Sequence, residues 1–202
     1  LDELRAAATR EGLTFGPDPA THDHCTIGGM LGNNSCGMHA QMAGKAANNV
    51  EEMDILLYDG TEMTVGWMDD QKLYEEIRRG GRSGEIYARL KNLRDKYARL
   101  VDERYPHIPR RVSGYNLDQL IPGKDGRFNV ARALVGSEST LVTILEAKVR
   151  LMFSYPERVL LVLGYPSVYE SGDHVPEIVK FGPIALEGLD DRLIENVKKK
   201  KM

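Results

Sequence analysis

Cysteine is scarce in this chain, which contains only Cys25 and Cys36 among its 202 residues. Two thiols cannot build a disulfide framework, and they are too few to supply the four ligands of an iron–sulfur cluster. The scarcity excludes the disulfide-rich secreted domains and is typical of proteins in a reducing compartment. The resulting prediction is a cytoplasmic location.

An excess of positive charge and long apolar runs are also absent. The 27 Lys and Arg residues are outnumbered by 30 Asp and Glu residues, which gives a formal net charge of -3. This balance argues against a nucleic-acid or anionic-membrane partner, because both require a basic surface. No apolar run approaches the roughly 20 residues needed to cross a bilayer, so no transmembrane segment is predicted. The chain begins with Leu1 and no signal peptide is predicted from its first residues, so we expect a fragment of a longer protein.

A stretch rich in small polar residues occupies positions 26–37, Thr-Ile-Gly-Gly-Met-Leu-Gly-Asn-Asn-Ser-Cys-Gly, and has no charged side chain. Glycine accepts φ > 0 and permits close approach to the backbone, while Asn and Ser add hydrogen bonds without bulk. The stretch is predicted to wrap a flat, polar ligand, with at least one of its four glycines at positive φ. The glycine spacing does not fit an NAD-type fingerprint. Met38 and His39 stand where a phosphate loop needs Lys and Ser or Thr.

Two further motifs flank this stretch. Phe-Gly-Pro-Asp-Pro-Ala at 15–20 precedes it, and Leu-Val-Gly-Ser-Glu-Ser-Thr-Leu at 134–141 follows it. The three motifs in this order resemble the FAD-binding domain of the vanillyl-alcohol-oxidase-type flavoproteins, which include the FAD-linked 2-hydroxyacid dehydrogenases. Ser-Gly-Tyr-Asn-Leu at 113–117 and Tyr-Asp-Gly at 58–60 also fit this family, whereas Ser139 stands where the family has glycine.

The resemblance implies an α+β fold in two parts. Residues 1–157 would be the C-terminal portion of a PCMH-type FAD-binding domain, namely its second subdomain, and residues 158–202 the truncated beginning of an α+β substrate (cap) domain. The family's Gly-rich pyrophosphate loop lies upstream of Pro-Asp-Pro, but only fourteen residues precede Phe15 here. We therefore expect the fragment to be inactive by itself and to hold FAD weakly.

The implied activity is that of a flavin-dependent oxidoreductase. It would oxidise a 2-hydroxyacid of the D-lactate, glycolate or 2-hydroxyglutarate type by hydride transfer to FAD, the cofactor of the full-length enzyme. Larger bacterial members carry an iron–sulfur cluster in a downstream segment. The resemblance to them implies a redox protein or a quinone as the electron acceptor, and a location in the cytoplasm or peripheral to the membrane.

The resemblance also implies a set of residues along the FAD cleft, with the last three near the adenosine half: Pro17, Asp18, Thr26, Ile27, Gly28, Gly29, Asn33, Asn34, Ser35, Gly136, Ser137 and Glu138. For the carboxylate of the substrate, Arg111 offers a bidentate cation, with Tyr115 and Asn116 in the same loop. A solvated arginine is the alternative interpretation. The family's catalytic histidines lie in the later substrate domain, so no catalytic residue is assigned.

A non-catalytic structural or metal-binding module is the competing interpretation, in which the Gly-rich stretch is only a tight turn. Five potential zinc ligands lie within eighteen residues: His22, His24, Cys25, Cys36 and His39. The ten-residue gap between the two cysteines is not a familiar ligand spacing, and no Cys-x-x-Cys pair is present. No metal site is predicted.

Hydrophobic periodicity predicts helices at residues 1–10, 71–79 and 86–100, with a helical turn starting at 28–29. One sheet is expected from residues 55–58, 63–65, 129–135 and 142–149, the first two joined by a two-residue Asp59-Gly60 turn. The helix at 86–100 would cover this sheet with an apolar stripe made of Ile86, Leu90, Leu93, Tyr97 and Leu100. Beyond residue 158 we expect buried strands at 159–163 and 183–186, a helix at 167–180, and a final helix capped by Asp190.

Overall fold

A four-stranded antiparallel sheet forms the centre of the structure, a computed structural model that describes residues 1–200. Its strands are β2 (Val50–Leu56), β3 (Glu62–Asp69), β4 (Arg127–Asn129) and β5 (Thr143–Val149), in the order β4-β3-β2-β5. A two-stranded sheet pairs β1 (Leu13–Thr14) with β6 (Met152–Phe153). The α+β class and the hairpin are as predicted. The hairpin connection runs from 57 to 61, because the ladder closes with Leu56 opposite Glu62 rather than next to Asp59-Gly60.

The helices α4 (Asp70–Arg79) and α5 (Gly81–Arg104) follow the hairpin, close to their predicted bounds. The Asp69 side chain caps α4 by accepting a hydrogen bond from Lys72 N at 2.8 Å, and Gly80 ends it at φ 73°. On α5, the buried residues are Gly84, Tyr87 and Val101, whereas Leu100 is 48% exposed. The predicted apolar stripe is therefore wrong at its end, because the buried face lies one residue further along the helix.

The prediction of a strand at 129–135 is wrong for all but its first residue. After β4 the chain turns into a short helix, α6 (Val130–Leu134), whose first turn is capped by Asn129 Oδ1 accepting from Arg132 N at 3.0 Å. Three of its residues, Val130, Ala131 and Ala133, are buried in the main core. A buried helix and a buried strand are equally apolar, so the pattern of this segment could not separate them.

The remaining short helices are α1 (Asp2–Thr9), α2 (Ile27–Gly32) and α3 (Ala40–Ala43), with 3₁₀ turns at Ala46–Asn49 and Leu117–Leu120. The main core joins the inner face of the sheet to α4, α5 and α6. A second, smaller cluster contains Leu1, Phe15 and Met30. This cluster packs the beginning of the chain against α2.

Residues 154–200 differ from the rest of the described chain, because none of them is buried. They contain α7 (Val168–Val179) and α8 (Asp191–Lys200), both as predicted, with Asp190 Oδ1 accepting from Leu193 N at 2.7 Å. The strands predicted at 159–163 and 183–186 are absent from the described structure. Val159 is 96% exposed and Leu160 is 88% exposed. None of the helices within residues 1–200 is both long enough and apolar enough to cross a membrane.

Candidate cofactor-binding site

The Gly-rich stretch folds into α2 and a following loop rather than into a single open turn. Thr26 caps α2, because its hydroxyl oxygen accepts a hydrogen bond from Gly29 N at 3.0 Å. The amides of Ile27 and Gly28 have no acceptor within the helix, as in any first turn. Gly28 and Gly29 are exposed at this end of α2.

The prediction that a glycine of this stretch has positive φ is wrong. Gly28, Gly29 and Gly32 are helical, Gly37 also has negative φ, and the left-handed residue is Asn34 at φ 54°. Asn tolerates this region because its short side chain can hydrogen-bond locally. Here the Asn34 Oδ1 accepts from Ala47 N at 3.1 Å, and the residue is 1% exposed.

Gly37 is required for a different reason, which is close packing. A β-carbon at Gly37 would lie 2.0 Å from the carbonyl oxygen of Asp18. The Asp18 carboxylate in turn accepts from the backbone amide of His39 at 2.9 Å and pairs with the His39 ring nitrogen Nδ1. The Pro-Asp-Pro segment therefore holds the end of the Gly-rich stretch, and Pro17 is fully buried in this contact region.

The 134–141 motif forms a turn that lies directly against α2. The amide of Gly136 donates to the Leu31 carbonyl oxygen, and the amide of Glu138 donates to that of Gly32, both at 2.9 Å. Gly136, Glu138 and Ser139 all have positive φ, at 84°, 48° and 63°. The two motifs that the sequence separates by about a hundred residues are thus joined by backbone hydrogen bonds.

An open groove of about 410 Å³ lies between α2 and this turn. Its lining residues are Gly28, Gly29, Gly32, Asn33, Ser137, Glu138, Ser139, Val142, Thr143 and Ile144. Five of them were predicted for the FAD cleft. The glycines leave backbone exposed, Asn33 and Ser137 offer hydrogen bonds, and the start of β5 adds an apolar floor. Glu138 is the charged member, and no Lys or Arg lines the groove.

The groove fits part of a dinucleotide such as FAD. A β-carbon on Gly28 or Gly32 would meet no heavy atom within 4 Å, so space is left beside the backbone at both positions. A carboxylate accepts hydrogen bonds from sugar hydroxyls and repels phosphate, so Glu138 suits a ribose. The lining is therefore compatible with a ribose and unfavourable for a phosphate.

Several predicted residues lie outside the groove lining. Pro17 and Asp18 support the loop from behind, as described above, and Ser35 donates from its hydroxyl to Asn33 Oδ1 at 2.6 Å. Asn34 is buried beneath Gly136, and its Nδ2 has no hydrogen-bond partner among the described residues. The groove also includes Ser139, Val142, Thr143 and Ile144, which the sequence analysis did not select. Ser139 belongs to the third motif, and the only signal for the other three was their position directly after it.

The residues predicted for the substrate carboxylate form a separate cluster. Arg111 pairs with Asp118, donates to Asn116 Oδ1 at 3.2 Å, and stacks over the Tyr105 ring at 4.5 Å. Asn116 is buried and its Nδ2 donates to the Val135 carbonyl oxygen at 2.8 Å. Arg111 and Asn116 thus connect this loop to the turn at 136. The hydroxyl of Tyr115 lies 2.9 Å from Thr140 Oγ1.

The potential zinc ligands are engaged in other contacts. His22 pairs with Asp2, His39 with Asp18, and the Cys36 thiol with Arg110. Within residues 1–200 no group of three or more His, Cys, Asp or Glu side chains is arranged to hold a metal ion. The two cysteines are not joined to each other.

Comparison with known proteins bears on the same region. Residues 1–66 match the family described as FAD binding domain. The chain is 28% identical over 193 residues to a D-2-hydroxyglutarate dehydrogenase of Pseudomonas putida, covering 96% of this chain and 19% of that protein. It is 28% identical over 196 residues to a D-lactate dehydrogenase of Archaeoglobus fulgidus, covering 96% of this chain and 32% of that protein. A glycolate oxidase subunit of Bacillus subtilis is 26% identical over 192 residues, covering 94% of this chain and 30% of that protein.

These similarities confirm the resemblance to FAD-linked 2-hydroxyacid dehydrogenases and oxidases that the three motifs indicate. The first two curated relatives are D-2-hydroxyglutarate dehydrogenases, and the chain spans about one fifth of their length.

Proposed function

From its relation to FAD-linked 2-hydroxyacid dehydrogenases and oxidases, we propose that this chain forms one side of the FAD site of a flavin-dependent 2-hydroxyacid oxidoreductase. The observation that carries the proposal is the groove between α2 and the turn at 136–139. One of its sides lies inside the matched residues 1–66, and the other is the third motif of the resemblance. The competing interpretation, a purely structural Gly-rich segment, gives no account of exposed glycine backbone beside a polar groove.

The residues that would hold the adenosine half are those with exposed donors and acceptors. The amide of Gly28 and the side chains of Asn33 and Ser137 would bind and orient its polar atoms. Glu138 would accept hydrogen bonds from ribose hydroxyls and exclude phosphate from this end. When bound, FAD accepts the hydride from the 2-hydroxyacid; the protein supplies position and electrostatics.

The domain division is part of the same proposal. Residues 1–157 contain every buried residue of the described chain, and the last of these is Val142, directly before β5. Residues 158–202 would then begin the substrate (cap) domain. The substrate class, a 2-hydroxyacid of the D-lactate, glycolate or 2-hydroxyglutarate type, follows from the relatives. A redox protein or a quinone would accept the electrons, with an iron–sulfur cluster in a downstream segment.

Titration of the chain with adenosine, followed by amide NMR, tests the groove. We expect weak, millimolar binding that shifts the amide signals of Gly28, Gly29 and Ser137. Gly28→Val would fill the groove and abolish these shifts. Gly172→Val is the matched control, because Gly172 is also helical and also has no heavy atom within 4 Å of a β-carbon position.

Two results would contradict the proposal. One is the absence of any shift in the unmodified chain at millimolar adenosine. The other is equal binding by Gly28→Val and the unmodified chain, which would place the ligand elsewhere.

A further inference from the structure

Three cations, Lys45, Arg110 and Arg111, lie where residues 105–118 meet residues 36–45. Arg110 Nη2 lies 3.1 Å from the Cys36 thiol. Lys45 precedes Ala46, whose amide donates to the Ser35 carbonyl oxygen at 2.8 Å, so the backbone of Lys45 lies beside Cys36. The charges of Arg111, Asp118 and Cys36 all influence the pKa of its side chain. These groups do not line the groove described above, and the function proposed for the groove does not use them.

Only one of the three cations, Arg111, forms an ion pair within residues 1–200. Arg111 pairs with Asp118, is oriented by Asn116, and stacks on Tyr105. The Arg111 side chain is only 12% exposed, and these contacts hold it in place. It is therefore a poor candidate for the primary contact with a ligand.

Lys45 and Arg110, by contrast, form no ion pair within the part of the chain that the structure describes. Burial lowers the pKa of Lys45 from its ordinary value, and the positive charge of Arg111 lowers it further, against the opposite effect of Asp118 and Cys36. The site thus contains three positive groups and one carboxylate. A partly buried ammonium that forms no ion pair of its own is unfavourable, and binding an anion would stabilise it.

The backbone of Lys45 is fixed by its neighbours. Its amide donates to Asn48 Oδ1 at 2.9 Å, and its carbonyl oxygen accepts from the buried Asn49 Nδ2 at 2.9 Å. The backbone from which the Lys45 side chain extends is therefore held in place.

We propose that Lys45 and Arg110, supported by Arg111, form a binding site for an oxyanion of the carboxylate or phosphate type. The guanidinium of Arg110 offers two parallel donors to such a group, and Lys45 adds a point charge. The assignment of the ligand as the carboxylate of a 2-hydroxyacid rests on the function proposed above. The proposal of an anion site itself depends only on the positions and charges of these cations.

Titration with D-lactate and with inorganic phosphate, each at low ionic strength, tests the site by NMR of the Lys45 and Arg110 side chains. We expect either anion or both to shift these signals, with Lys45→Met and Arg110→Met each weakening binding about tenfold. Lys124→Met is the matched control, because Lys124 is an exposed lysine in a different loop, and it should leave the affinity unchanged.

The pattern of binding separates the two sources of the anion. A response to lactate but not to phosphate assigns the site to the substrate, and the reverse assigns it to a phosphate group. Unchanged affinity in both Lys45→Met and Arg110→Met, or no response to either anion, would overturn the site. The adenosine titration is independent, since a failure here with normal adenosine shifts leaves the proposed groove intact.

Discussion

Ser139 is the residue at which the sequence departs from the related motif, and the structure shows the cost of that departure. Its φ of 63° lies in the left-handed region, where a side chain costs about 1–2 kcal/mol. Glycine removes this cost but adds about 0.5–1 kcal/mol of lost chain freedom on folding. We therefore expect Ser139→Gly to raise the free energy of unfolding by roughly 0.5–1 kcal/mol, measured by urea denaturation.

Ser139→Ala is the control for this prediction, because it removes the hydroxyl but keeps the β-carbon. It should leave stability close to that of the unmodified chain. A gain equal to that of Ser139→Gly would show that the hydroxyl, rather than the backbone conformation, is unfavourable at this position.

The glycines of the 26–37 stretch are not equivalent. A β-carbon on Gly37 would collide with the backbone of Asp18 at 2.0 Å, whereas one on Gly28 would meet nothing within 4 Å. Gly37→Ala must therefore displace the Asp18 segment, at a cost of about 2–3 kcal/mol. Gly28→Ala should be neutral or stabilising by up to about 1 kcal/mol, because Ala favours a helix.

Thermal or urea unfolding of these two variants measures the difference directly. Equal stability of Gly37→Ala and Gly28→Ala would refute the close approach seen between Gly37 and Asp18. The sequence predicted positive φ for at least one of the four glycines, without distinguishing among them. Composition shows that glycine is present, but not which contact requires it.

At the scale of elements, Asn129 explains why the segment at 129–135 is not a strand. Its Oδ1 caps α6 by accepting from Arg132 N at 3.0 Å, and its Nδ2 donates to the Glu51 carbonyl oxygen at 3.1 Å. One side chain therefore ends β4, starts α6 and joins both to β2. We expect Asn129→Ala to cost about 2 kcal/mol, about half from the cap and half from the buried hydrogen bond.

Asp69→Ala, which removes the exposed cap of α4, provides the comparison. It should cost about 1 kcal/mol, because only the cap is lost. If the two variants lose the same stability in urea denaturation, the contact between Asn129 and Glu51 contributes nothing.

The elements that the sequence predicted correctly are those fixed by local signals. The hairpin partners are adjacent in the chain, α4 has an Asp cap and a terminal glycine, and α5 has a long apolar repeat. The groove was predictable in part, because each of its two motifs is a continuous stretch of the sequence. Its apolar floor at 142–144 was not, since which face of β5 meets α2 depends on the packing of the whole sheet.

For the whole molecule, the contrast between residues 1–153 and 154–200 is the main departure from expectation. The run at 159–163 has the composition of a buried strand, but a strand needs a neighbour to satisfy its backbone groups. No strand within residues 1–200 pairs with it, and its side chains remain exposed. An apolar pattern can predict that a segment is buried, but it does not show which strand would pair with it.

The groove alone should not hold FAD tightly, because the two negative charges of the pyrophosphate find no Lys or Arg along it. If the dissociation constant is about 1 mM, then about 0.1 mM FAD stabilises the fold by only about 0.06 kcal/mol. A micromolar site would instead contribute about 2.7 kcal/mol and raise the melting temperature by roughly 5–10 °C. We expect a colourless protein whose melting temperature does not change with added FAD. A clear rise in the unmodified chain but not in Gly28→Val would mean that this groove is sufficient for tight binding, whereas a rise in both would place FAD at another site.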